Sequence, residues 1–285
     1  IYELFESNKY LLLFLIKNKI ITINDYIKIK IENKFDDEED NKRFKDYFLC
    51  EIPNKETKDQ SLIYYMENIS EYEEKRQEGE NDSYVCSLIR KDSIEDFVSF
   101  VTRKNYKLSS EIKQSIFETN SFLIGKEPTL IEYAAFFGAV QIFDYLYIKG
   151  VNLTSSIWFY AIHSNNSDFI RNHVEGKKVN LNDKMNIKLL EECIKSHHND
   201  IGRYIQDNLF NDDETPILSE KNTFKKQIFE TILIYHNYSF FPDEFDQTFS
   251  IYYFYKYHYI DIVNLLIQSQ KENIKQKISH YISKV

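Results

Sequence analysis

The chain has 285 residues, 42% of them hydrophobic and 28% charged, which is the balance of a globular protein and not of a disordered one. Its formal net charge of -9 excludes nucleic-acid binding through the general field, because that affinity comes mainly from Lys and Arg neutralising phosphates. Only 6 Gly, 4 Pro and four Ala stand against 22 Tyr and 22 Phe, which leaves little room for tight hairpins, phosphate-cradling loops or nucleophile elbows.

Along the chain, the longest run of aliphatic and aromatic residues is Tyr10 to Ile16. That is far below the roughly 20 residues a bilayer span needs, so no membrane insertion is expected. Apolar residues recur mostly at three- and four-residue spacing, as in Ile94, Phe97, Val98 and Val101, one buried stripe per helix. The spacing predicts an all-α fold. Two charged stretches interrupt it, Asp36 to Asp40 and Glu71 to Asp82, and both read as solvated segments. The second is the better boundary, dividing a helical N-terminal leader or cap over 1–78 from a region of regular spacing over 79–285. In a charged loop Gly79 should tolerate a side chain better than the turn glycine Gly138, so Gly79→Val is expected to harm folding less than Gly138→Val.

Beyond the boundary, Leu130 to Leu146 reads as a short helix, a tight turn at Gly138, and a second apolar helix ending at Gly150. With Ala134 as anchor, the same shape recurs at Leu88, Ala161, Cys193, Leu233 and Phe254. Four residues after these stand Asp92, Asn165, His197, Asn237 and His258. The intervals are 46, 27, 32, 40 and 21 residues, a mean of about 33 over some six helix-pair units.

The segment Thr129-Leu130-Ile131-Glu132-Tyr133-Ala134-Ala135, with Gly138 and Gly150-Val151-Asn152, resembles the ankyrin consensus. Gly79 to Tyr84, Glu118 to Ile124 and Pro128 to Gly138 are similar to the divergent ankyrin-like domain of unknown function carried by large families of trichomonad ankyrin-repeat proteins. The likeness is specific over 79–170 and looser to 270. It implies an ankyrin-like helix-pair solenoid with a helical leader, acting as a non-catalytic module that binds a protein partner along its concave face. Where the consensus has His, Glu132 stands three residues after Thr129, which makes a capping box of the helix start. The bulky anchors Cys193, Leu233 and Phe254 predict wider and less regular pairs than ideal ankyrins have.

No chemistry competes with that reading. None of the seven His forms His-Glu-x-x-His or joins a Cys-x-x-Cys, and His197 and His198, adjacent on a helix, diverge too far to chelate one ion. Cys50, Cys86 and Cys193 are odd in number and widely spaced, which suits reduced core thiols in a cytoplasmic protein. No Gly-x-Ser-x-Gly, Gly-x-Gly-x-x-Gly or Gly-Lys-Ser/Thr occurs, so no enzyme activity, cofactor or metal is expected. In ankyrin-type stacks the two residues before the turn face the groove. By register these are Arg90 and Lys91, Phe136 and Phe137, His163 and Ser164, Lys195 and Ser196, Tyr235 and His236, and Lys256 and Tyr257. This aromatic, His and basic row is the expected partner-binding surface, for a partner with acidic or mixed character. The rival reading is a structural spacer or cap within a longer ankyrin-repeat protein.

Overall fold

Asn, Asp, Ser or Thr starts most of the helices whose first cap is described, and a left-handed residue ends most of them. A computed structural model describes residues 2–6, 8–52, 59–175, 177, 181, 183–209, 222–241 and 247–268, and the rest of the region assigned to repeats, after 268, lies outside these. Among the described residues the chain is all-α, with no strand and a single isolated bridge between Glu111 and Thr129. It divides into two compact units, Ile1–Leu153 and Thr154–Val285.

The first unit contains α1 (Tyr2–Phe5), α2 (Lys9–Lys17), α3 (Asp25–Glu32), α4 (Glu38–Asp46), α5 (Gln60–Glu67), α6 (Ile69–Glu78), α7 (Tyr84–Arg90), α8 (Ile94–Arg103), α9 (Leu130–Phe137) and α10 (Val140–Ile148). Side chains of Asn8, Asn24, Asp37 and Asp59 accept from free amides in the first turns of α2, α3, α4 and α5. Leu12, Leu13, Ile27, Ile31, Phe44, Tyr47 and Phe48 form one core. Leu49, Leu62, Tyr65 and Tyr72 close a second core around Phe117, so the residues before 78 share buried surface with a loop that follows α8. Between the two cores lies Arg76, wholly buried. Its guanidinium takes Glu51 in a two-bond fork at 2.7 and 3.0 Å, Glu73 at 2.6 Å and the Tyr47 carbonyl at 2.9 Å, and lies against the rings of Tyr47 and Tyr72.

In the second half of this unit, α7 and α8 form one pair and α9 and α10 the next, with α7 against α9 and α8 against α10. The capping box of α9 is present: Thr129 N–H donates to Glu132 at 2.9 Å and the Glu132 amide reaches Thr129 Oγ1 at 3.4 Å. Side-chain bonds of two residues tie the pairs together. The Asp92 carboxylate accepts from the Gln141 and Ile142 amides, each at 3.0 Å, at the start of α10, and Arg90 donates to Tyr133 Oη at 3.0 Å.

The second unit runs α11 (Ile157–His163), α12 (Ser167–Phe169) continued by a π turn (Ile170–Glu175), α13 (Asp183–Ser196), α14 (Asn199–Leu209), α15 (Asn222–Ile234), a 3-10 turn (Tyr238–Phe240), α16 (Gln247–Lys256) and helical turns over 260–268. Again first helix packs on first helix, α11 on α13 and α13 on α15, while α12 meets α14. Gly202 makes the α13–α14 crossing close, since a Cβ there would sit 2.5 Å from the Phe240 ring and 3.2 Å from Cys193 Cβ. Phe229 and Leu233 of α15 pack with Tyr253 and Phe254 of α16 and with Val263.

The anchor register holds at most units. Leu88, Ala134, Ala161, Cys193 and Phe254 are all buried, and four residues on, Asp92, Gly138, Asn165, His197 and His258 all have φ between 49° and 64°. The next amide then bonds back five residues, as in Ser93 to Leu88, Ala139 to Ala134, His198 to Cys193 and Tyr259 to Phe254, which is the Schellman closure. At Ala161 the hydroxyl of Ser164 replaces that bond. One unit corrects the sequence register by a residue. His236, not Asn237, is left-handed, and Asn237 N–H bonds to Ile232, so Ile232 is the anchor in place of Leu233. Asn237 is instead buried, and its amide nitrogen donates to Ile194 O and Asn199 Oδ1 of the preceding pair. Gly79 is a second correction. It is buried in a left-handed cap at φ 68°, where a Cβ would meet Thr119 Oγ1 at 2.8 Å, so the mild outcome expected for a charged loop does not apply.

Two outcomes follow. Because a left-handed His is sterically strained, His197→Gly should raise stability by about 0.5–1 kcal/mol, seen as a higher thermal midpoint, and a lower one would refute the strain. Arg76→Met, which leaves the half-buried Glu51 without its cation and the Tyr47 carbonyl without its donor, should lose about 1–3 kcal/mol in urea unfolding.

Candidate functional site

The structure separates the six expected surface pairs by what their side chains already touch. Phe136 is buried at 6% exposure, its ring stacked on Phe122 at 5.8 Å and edge-on to Phe137, so it belongs to the core and not to a groove. Arg90 is only 13% exposed in its side chain and bonds to Asn81 O, Tyr133 Oη and Glu80, which makes it a tie between helix pairs. His163, likewise nearly covered, meets Glu192 of α13 at 3.0 Å. Lys256 pairs with Glu230 of α15 at 2.6 Å. Glu191 accepts from Gln227 and Thr231 of α15. Each successive contact of first helices in the second unit thus carries a side-chain bond to a Glu, and Arg90, His163 and Lys256 of the row are engaged by the chain itself.

Ser164 and Ser196 turn their hydroxyls back to Ala161 O and Glu192 O, each at 2.7 Å, and satisfy their own helix ends. His236 is the turn residue, with its ring nitrogen near the hydroxyls of Tyr238 and Tyr259, so Ile234 and Tyr235 occupy the positions before that turn. Lys91, Lys195 and Tyr235 remain exposed, and Phe137 and Tyr257 are half-buried. Among the exposed aromatics that the row misses, Tyr252 and Tyr255 of α16 are the most open, at 62% and 67%.

The cysteines are free, and burial pushes the thiols of all three up, that of Cys86 to about 12. That is the reverse of what a nucleophile needs. Burial also lowers His198. Among the described residues no group of three or more His, Cys, Asp or Glu could hold a metal ion, and no helix is long and apolar enough to cross a membrane.

A cleft in the first unit holds the ionisable groups that sequence reasoning passed over. Lys9, 4% exposed, donates from Nζ to Ile116 O at 2.6 Å and lies 4.7 Å from the centre of the Tyr47 ring. Its ammonium is lowered from 10.5 to about 7, mainly by burial, with Glu118 opposing and Arg43 assisting. Glu118, at 7% exposure, is raised by burial although the Asn120 amide bonds its Oε1. Arg43 reaches Asp40 at 2.7 Å and Glu39 at 3.1 Å, while its Nε, also buried, finds no acceptor among the described residues. The signal for Lys9 was in the sequence: it precedes Leu12, Leu13 and Ile16 by three, four and seven residues, on the apolar stripe of α2. Glu118 had none, because a loop buries it.

No family model matches the chain, and neither a curated protein nor a solved structure matches it.

The Lys9 geometry has a pH signature. The unfolded chain holds a proton that the folded chain has released between about 7 and 10.5, so this group adds stability as pH rises through that window. Lys9→Met should therefore be more stable than the unaltered chain below pH 7, with the advantage shrinking toward 10.5. A difference in urea midpoint that stays constant with pH would refute the burial of a charged Lys9.

Proposed function

We propose that the chain is a non-catalytic protein-interaction module, an ankyrin-like helix-pair solenoid in which each pair buries its apolar faces on its neighbours and leaves a stiff surface for a partner. The stacking of first helices on first helices and the recurrent left-handed closures support the repeat reading. The observation that carries the binding role is the set of large side chains kept in water at the end of α15 and along α16. Ile234 is 49% exposed, Tyr235 40%, Tyr252 62% and Tyr255 67%, although both helices bury a full apolar face elsewhere. Rings exposed on a rigid element are the usual anchors of an interface.

The revised surface is less basic than the register suggests, since Arg90, His163 and Lys256 have partners in the chain. It favours an amphipathic partner face over an acidic one. Three free, widely spaced thiols fit a reducing, cytoplasmic setting.

The test replaces Tyr235 and Tyr255 by Ser together and compares the proteins retained from a cell extract with those retained by the unaltered chain. Partners held by the surface should drop out while the thermal midpoint is kept. Retention unchanged by the double substitution would overturn the assignment.

A further inference from the structure

The start of the first unit carries a surface that neither the α15 and α16 side chains nor the Lys9 cleft involve. Helices α2 and α3 each bury one stripe in the same core, Leu12 and Leu13 from the first and Ile27 and Ile31 from the second. What they turn outward is apolar as well. On α2, Tyr10, Leu11 and Phe14 are exposed, and Lys17 continues the row from Tyr10 and Phe14 at helical spacing. The turn that follows exposes Lys19 and Ile20, and on α3 Tyr26, Ile29 and Lys30 share a face at three- and four-residue spacing. Phe14, Ile20 and Ile29 are more than half exposed, at 55%, 53% and 58%, on elements that already have a core to bury against. Large apolar side chains gathered in water in this way mark a surface that something covers.

Charge selects the occupant. Residues 8–34 hold six Lys against two acids, in a chain whose formal net charge is -9. Lys9 is buried, Lys17 pairs with Glu73 and Lys34 with Glu6. Lys19, Lys28 and Lys30 are exposed, with no acid in ion-pair range among the described residues. Of the neighbouring acids, Glu32 is held by Lys45 and Glu3 accepts from Tyr26 Oη, while Asp25 is exposed in the first turn of α3. Lys interleaved with Phe, Tyr and Ile suits a surface that is anionic outside and apolar just beneath, because the ammonium reaches headgroups while rings and aliphatic chains enter the acyl boundary. A helix is a convex ridge, and a fluid bilayer takes up a ridge without a complementary groove. At 9 and 8 residues the two helices are far too short to span, so the contact is adsorption in the interface plane. We propose that α2, the turn after it and α3 dock the chain on an anionic lipid bilayer, with Phe14, Ile20 and Ile29 entering the headgroup boundary and Lys19 and Lys30 meeting the acidic headgroups.

The whole chain would be sedimented with phosphatidylcholine vesicles that contain either no other lipid or about 30% phosphatidylserine. It should bind the anionic vesicles, come off as salt is raised, and bind phosphatidylcholine alone roughly tenfold more weakly. Phe14→Ser with Ile20→Ser, and separately Lys19→Glu with Lys30→Glu, should each weaken binding roughly tenfold or more. All four side chains are exposed, so the thermal midpoint should be kept in both proteins. No binding to the anionic vesicles, equal binding to phosphatidylcholine alone, or unchanged binding in either double variant would overturn the assignment. So would a dimer of the unaltered chain that Phe14→Ser with Ile20→Ser dissociates, because a second copy would then be what covers this face.

Discussion

Every first helix of a pair must stop, reverse and hand the chain to a second helix within a few residues, and that reversal needs one residue in the left-handed region. Glycine is the residue suited to it, and this chain has 6 in total. Only at Gly138 does glycine fill the first-helix turn; elsewhere Asp92, Asn165, His197, His236 and His258 accept the strained backbone. The Schellman bonds that follow satisfy the last carbonyls, and the anchors one turn earlier are buried because the closure points them inward. Pairing, stacking and the exposed surface all descend from this local geometry.

The periodicity of the chain was legible because it rests on two local signals, apolar spacing and a turn-prone residue four positions on. It failed by one residue where two such groups adjoin. His236 and Asn237 are both acceptable turn residues, and only the tertiary bonds of Asn237 to Ile194 and Asn199 decide which is left-handed. Gly79 was misjudged for a related reason. The charges around it read as a solvated loop, yet Thr119, 40 residues away, bonds its carbonyl. Long-range packing of that kind leaves no periodic trace.

Side-chain direction was the less legible part. A row of His, Arg and Lys beside the turns looks like an outward surface if one imagines the helices alone. Glu80 in the loop before α7, Glu192 of α13 and Glu230 of α15 meet Arg90, His163 and Lys256, and that part of the row becomes internal bonding. Tyr252 and Tyr255, which no register singled out, are left in water. Arg76 shows the same principle in a region without repeats. Its neighbours in sequence are charged, but it is the Tyr47 carbonyl and Glu51 that bring it wholly inside.

Asp92 does double duty: its backbone ends one helix and its carboxylate begins another, two pairs being written into a single residue. Neither helix can fray at that joint without releasing amides or a carboxylate that the other has engaged. In a chain of nearest-neighbour contacts such a shared residue is a coupling constant, and it makes the cooperative block longer than one pair. Local opening at α7 and α8 is therefore reported at α10, and slow hydrogen exchange should spread across both pairs as one kinetic body.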